Sequence, residues 1–126
     1  MFNRLISILI FIKPMNTITW QDFENVDLRA GTIITVEDFP KARKPAFKLW
    51  IDFGEEIGVK QSSAQITRRY TKEALTGRQV LCVINFPPKN IAGFRSEVLT
   101  TGFVLPDGEV ILAGPDFPLP NGTRLG

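Results

Sequence analysis

Histidine is absent from this chain and cysteine occurs once, at Cys82. Without a second thiol no disulfide can form, and without paired Cys and His none of the common zinc arrangements can be assembled. A catalytic triad built on imidazole is excluded by the same absence. Cys82 sits in the apolar run Val80-Leu81-Cys82-Val83-Ile84, which reads as a buried strand whose thiol packs as a small apolar group. No metal site and no cofactor are expected, and the reducing cytoplasm is the expected compartment.

Long apolar runs are missing too. The longest, Leu5 to Ile12 between Arg4 and Lys13, falls well short of the roughly 20 residues that a spanning helix needs. No small-x-small cleavage site follows it, as a signal peptide would require. Residues 1–14 therefore form an N-terminal apolar extension with three open readings: an artefactual upstream start with Met15 as the true one, an added strand or helix packed on the domain, or an export or membrane-surface signal. Stable membrane insertion is not expected. The remaining stretch, 15–126, has room for one core of ordinary size.

The domain also lacks net charge. The formal +2 is carried by Arg4 and Lys13, and from Met15 onward 13 basic residues meet 13 acidic ones. The distribution is uneven: residues 41 to 95 hold eleven Lys and Arg against four acids, while residues 17 to 40 carry −4 and residues 96 to 126 carry −3. A basic segment between acidic flanks suits a protein that holds a polyanion on one face. Solvated loop charges without a partner are the other reading.

Periodicity points to short strands. Thr19-Trp20-Gln21-Asp22 has the hydroxyl-to-carboxylate spacing of a helix start, so a helical turn is expected over Trp20–Glu24. From Leu28 a period of two sets Leu28, Ala30, Thr32, Ile34 and Val36 against Arg29, Ile33, Thr35 and Glu37, with Gly31 as a candidate bend or bulge. A Pro-bounded loop runs from Phe39 to Pro45, and Ala46 to Phe53 alternates again. The Glu55-Glu56 turn leads to a partner strand over Ile57–Lys60, and Ile66 to Leu75 is more helical, with Thr71 able to cap it. Val80–Ile84 is a buried strand stopped by Pro87-Pro88. Val98–Leu105 and Val110–Ala113 flank Pro106-Asp107-Gly108 as a hairpin, and Thr123-Arg124-Leu125 can add an edge strand. The expected fold class is all-β: an OB-type, five-stranded β-barrel with one short helix inserted before the fourth strand.

Two polar stretches carry candidate chemistry. Lys60-Gln61-Ser62-Ser63-Ala64-Gln65 reads as a strand-to-helix junction whose amides and hydroxyls either contact phosphate, ribose and base edges or satisfy local backbone. Asn85 to Ser96 reads as a rigid loop that sets Phe86 and Phe94 beside Lys89 and Arg95. An aromatic next to a cation can stack a base and neutralise its phosphate, although either Phe can equally anchor the core. A Ser62 or Ser63 nucleophile with Lys60 as base needs no histidine. No second catalytic element accompanies it, so no enzymatic activity is expected.

Several motifs in order resemble one family: Asp27-Leu28-Arg29-Ala30-Gly31-Thr32-Ile33, Lys60 to Ile66, Asn85-Phe86-Pro87-Pro88, Ile91 to Leu99, and Pro120 to Gly126. They are similar to the CsaA-type export-related chaperones, part of the tRNA-binding-domain family also appended to methionyl- and phenylalanyl-tRNA synthetases. The resemblance runs from about Ile18 to Gly126. It implies an OB-fold homodimer, joined through short terminal extensions, that binds tRNA or other structured RNA and acts as a chaperone for unfolded preproteins, with the export machinery as a further partner. A peptide-binding export chaperone with no physiological RNA partner is the alternative. Carried over by position, the family's RNA-facing loop falls on Pro40 to Lys44 and its Ser-Glu serine on Ser96. Relatives often have Arg after the residue matching Lys89, and Asn90 here removes one cation. With the polar stretches, the expected RNA contacts are Lys41, Ala42, Arg43, Lys44, Lys60, Gln61, Ser62, Ser63, Gln65, Arg68, Lys89, Arg95 and Ser96. The expected peptide-docking surface lies near Phe86, Pro87, Pro88 and Phe94.

Overall fold

The structure, a computed structural model, describes residues 15–126, so the apolar extension and the three readings of it lie outside the described residues. Helix α1 (Trp20–Glu24) begins with a reciprocal cap, Thr19 Oγ1 accepting from the Asp22 amide and the Asp22 carboxylate accepting from the Thr19 amide, both at 3.0 Å. The expected helix start is therefore present.

Strand β1 (Leu28–Asp38) is long enough to serve two neighbours. It pairs antiparallel with β2 (Phe47–Asp52) through its second half and with β4 (Gln79–Val83) through its first. Ile33 lies opposite Ile51 and Thr35 opposite Trp50, which leaves Ile34 as an unpaired bulge residue. The expected facing of β1 is corrected by this. Gly31 and Ile33 turn toward the barrel interior, Ile33 fully buried, while Ile34 is 45% exposed. Ala30 is buried for another reason: the C-terminal tail covers the outer side of β1, with the Ala30 amide donating to the Thr123 carbonyl and Thr32 Oγ1 to Asn121 Oδ1. The tail thus pairs, as expected of an edge strand, through an isolated bridge between Arg29 and Arg124.

Strand β2 follows its period of two, with Phe47, Leu49 and Ile51 buried and Lys48 and Trp50 facing out. Its partner β3 spans Val59–Ala64, so the polar stretch expected as a junction is itself strand. Ser62 and Ala64 alternate inward there and Gln61 and Ser63 outward. A run without apolar bulk can still be a barrel strand when its inward residues are small. Helix α2 is only Lys72–Leu75, capped by Thr71 Oγ1 accepting from the Ala74 amide at 3.1 Å, and its Leu75 plugs the core. The expected longer helical stretch is a turn over Thr67–Arg69 followed by this single turn of helix.

The barrel strand order is β3-β2-β1-β4-β7, with β7 (Leu99–Thr100) returning to β3. Thr100 Oγ1 donates to Ser62 Oγ at 2.8 Å, and the Glu97 and Val98 amides donate to the Gln61 carbonyl, so five antiparallel strands nearly close. The expected OB-type barrel is observed. Ile33, Leu49, Ile51, Phe53, Leu75, Val80 and Cys82 fill it and are at most 1% exposed. Each large apolar side chain removed from water this way contributes roughly 1.5–3 kcal/mol. Burial pushes the Cys82 thiol up to about 12, opposed by a hydrogen bond with Thr100.

Two hairpins stand off the barrel. Strands β8 (Gly102–Val104) and β9 (Val110–Leu112) flank the expected Pro106-Asp107-Gly108 turn. The other hairpin replaces the expected loop after Pro88: β5 (Lys89–Ile91) and β6 (Phe94–Ser96) lie within the connection between the fourth and fifth barrel strands. Ala92 and Gly93 turn it with φ of 49° and 84°, the pair of positive values that a type I′ hairpin turn requires.

Candidate nucleic-acid interface

The outward face of β2 and β3 is a small ladder in which Lys48 lies opposite Ser63 and Trp50 opposite Gln61. The β5–β6 hairpin folds over it and is clipped in place. Gln61 makes two of the clips, its amide donating to Glu97 Oε1 at 2.9 Å just past the hairpin and its Nε2 to the Arg95 carbonyl at 3.0 Å, while its Oε1 accepts from Trp50 Nε1 on β2 at 3.2 Å. The Ser63 amide adds a third by donating to Ser96 Oγ at 3.0 Å. Asn90 Oδ1 accepts from the Gly93 amide and fixes the turn, so this residue, expected only as a missing cation, has a structural task.

Aromatic rings complete the arrangement. Phe94 meets Phe39 and Trp50 edge-on, with centroids 5.5 and 5.7 Å away. Lys48 Nζ lies 5.5 Å from the Phe39 centroid and 5.7 Å from that of Phe94, and also reaches Glu37 at 3.7 Å. A depression of about 290 Å3 opens here, lined by Phe39, Pro40, Lys41, Lys48, Ala92, Gly93 and Phe94. A second, of about 510 Å3, has Phe86, Pro87, Pro88, Lys89, Ile91, Ser96, Leu99 and Ser63 in its lining. The expected peptide-docking quartet is therefore divided: Phe86, Pro87 and Pro88 border the second depression and Phe94 the first.

Charge concentrates at the same place. Of the eleven basic residues between 41 and 95, Lys48, Arg68, Arg69 and Lys72 have carboxylate partners, which leaves seven with none among the described residues. Five of these seven, Lys41, Arg43, Lys44, Lys89 and Arg95, are exposed on the β1–β2 loop or the hairpin. Ala42 is half-buried in that loop and its amide donates to the Phe39 carbonyl at 3.1 Å.

Other expected contacts fall elsewhere. Ser62 is fully buried against Thr100, which removes it from both an RNA surface and a nucleophile's role. Lys60 shares its inward parity and is not on the face that carries Gln61 and Ser63. Arg68 is held at the β8–β9 turn by the Asp107 carbonyl at 3.0 Å and its carboxylate at 3.4 Å. The Glu109 amide, with Arg68 beside it, holds that carboxyl below the usual carboxylate range. Gln65 is exposed and borders a different depression, beside Leu99 and Val104. Phe39, Lys48, Trp50 and Glu97 were not among the expected site residues. Trp50 and Lys48 had a legible signal, an aromatic and a cation on the outward parity of a half-buried strand.

The family model described as putative tRNA binding domain matches residues 28–124. The chain belongs to this tRNA-binding-domain family. The chaperone CsaA of Bacillus anthracis strain Ames is 52% identical with a TM-score of 0.83, covering 88% of this chain and 100% of its own. The CsaA chaperone protein of Picrophilus torridus is 48% identical with a TM-score of 0.81, covering 87% of this chain and 100% of its own. Methionine–tRNA ligase of Methanococcus aeolicus is 34% identical over 115 residues, 90% of this chain and 16% of the ligase. The family's domain thus corresponds to about one sixth of that ligase.

Proposed function

We propose that this CsaA-type domain is a non-catalytic binding module that holds tRNA-like RNA across the cleft between the β1–β2 loop and the β5–β6 hairpin. The observation that carries the reading is that five exposed cations, without a carboxylate partner among the described residues, sit on the β1–β2 loop and the hairpin that flank a fixed aromatic group. OB barrels present this strand face and the two loops beside it to oligonucleotides. The tRNA-binding-domain match and the ligase relatives support the choice of RNA.

A chaperone role toward exported preproteins is proposed from the two CsaA neighbours, with a cytoplasmic homodimer as the working form. Its peptide surface is the depression of Phe86, Pro87 and Pro88, which is mostly apolar, has Lys89 and Glu97 in its lining as well, and borders on exposed Leu99. That depression also favours the second reading, a peptide-binding chaperone without a physiological RNA partner.

Titration of fluorescent tRNA at several salt concentrations distinguishes the two. Replacing Lys41, Arg43 and Lys44 together by Glu is expected to weaken binding at least about tenfold and to lower the salt slope by roughly 0.9 for each cation that touches phosphate. Unchanged affinity and slope overturn RNA binding at this cleft. Under the second reading Phe86→Ala loses peptide binding, and RNA is retained no better than by a neutral control.

A further inference from the structure

We propose that the depression between the β1–β2 loop and the tip of the β5–β6 hairpin is a receptacle for one unpaired nucleobase, so that the domain prefers RNA carrying an extruded nucleotide over continuous duplex. This rests on the RNA-binding reading above and adds to it a ligand of defined shape. The volume, about 290 Å3, lies at the small end of ligand cavities, which run from about 300 to 1,000 Å3. Such a space suits one planar ring system and not a run of stacked bases. Its walls are the apolar surfaces of Phe39, Pro40, Ala92, Gly93 and Phe94, and among the described residues the charged side chains in the lining are Lys41 and Lys48, the latter over the Phe39 and Phe94 rings and 3.7 Å from Glu37. An apolar slot with cations and no carboxylate in its lining fits a base whose own backbone supplies the phosphate.

Two further observations concern the wall itself. Phe94 is held edge-on by both Phe39 and Trp50, so its ring is oriented before any ligand arrives and little ordering is left for binding. Ala92 has φ of 49° and is the non-glycine residue with positive φ among the described residues. Alanine is strained there, and Asn, Asp or Gly would relieve the strain. Strain of this kind persists where the surroundings impose it and gathers at binding sites. The hairpin turn imposes it here, and Ala92 lines the depression where Asn or Asp would bring a polar group.

A base inside a duplex is stacked on both faces and cannot reach a concave wall. Pulling it out opposes binding, and a base that is already unpaired avoids that opposition. The β1–β2 loop cations are then free to follow the flanking phosphates.

The test compares three RNA stems: one with a single bulged adenosine, one with an abasic nucleotide in the bulge, and one fully paired. The adenosine bulge is expected to bind roughly 5- to 150-fold more tightly than the abasic bulge, the range that stacking of a base on an aromatic carries. Phe94→Leu, which keeps apolar bulk and removes the π face, is expected to erase that preference, and Phe94→Tyr to retain it. Equal binding of the adenosine and abasic bulges, with salt-dependent affinity for both, overturns the nucleobase site and leaves RNA binding intact. No salt-dependent binding of any stem overturns both readings. Equal binding of the two bulges together with displacement by an apolar peptide assigns the depression to a peptide side chain and also overturns the proposal.

Discussion

At the scale of single residues, Gly31 shows how little space the barrel leaves. A Cβ at this position would lie 2.7 Å from Ile51 Cγ2 and 2.7 Å from Phe53 Cδ1, closer than real side-chain carbons approach. Both neighbours are buried, at 0% and 1% exposure, so neither ring nor branch has solvent to move into. Gly31→Ala is therefore expected to cost about 1–3 kcal/mol, the usual range for overpacking a core, read as a shift in the midpoint of urea unfolding at constant slope. An unshifted midpoint would mean that Phe53 can swing away. Gly31 was legible as a marker of irregularity, but the bulge lies at Ile34 and the glycine serves close packing.

Among the elements, the hairpin inserted between the fourth and fifth barrel strands is decisive for the site, and Gln61 holds it. The Gln61 side chain links Trp50 to the Arg95 carbonyl, while the backbone clips from Gln61 and Ser63 to Glu97 and Ser96 do not need that side chain. Gln61→Ala is expected to speed amide exchange in 89–96 without changing protection of the barrel strands, because loosening stays within the local unit. RNA affinity should fall several-fold, since Phe94 loses a fixed seat. Unchanged exchange in the hairpin would show that the backbone clips suffice. The chemistry of this element was visible in Phe94, Lys89 and Arg95, but its architecture was not. Pro87-Pro88 reads as a stop, and nothing local in Ala92-Gly93 announces a tight turn as Asn-Gly does. The polar part of strand β3 was missed for a related reason: the expected partner strand over Ile57–Lys60 meets β3 only at Val59 and Lys60, because Gln61 to Ala64 have neither apolar bulk nor branched side chains, and only pairing with β2 fixes which of Ser62 and Ser63 faces the core. The β2 alternation, by contrast, was legible because its inward residues are large and apolar.

Across the whole molecule, charge is organised by position and not by sum. Arg4 and Lys13 supply the entire formal +2, yet the cations of the proposed cleft, without carboxylate partners among the described residues, all lie between Lys41 and Arg95. Acidic residues elsewhere are partly spent on local pairs: Asp27 with Arg29 at 2.7 Å, Asp38 with Lys72 at 3.0 Å. Counterion release depends on which cations contact phosphate, and net charge at a distance is screened within about 10 Å at 0.1 M salt. A chain begun at Met15, with 13 basic and 13 acidic residues, is therefore expected to bind tRNA within about twofold of the full chain and with the same salt slope. A neutral protein that keeps a steep salt dependence would locate the interaction on the cleft. A slope that falls with the loss of Arg4 and Lys13 would instead place those two residues on the RNA, and the binding face would then have to extend beyond the β1–β2 loop and the hairpin.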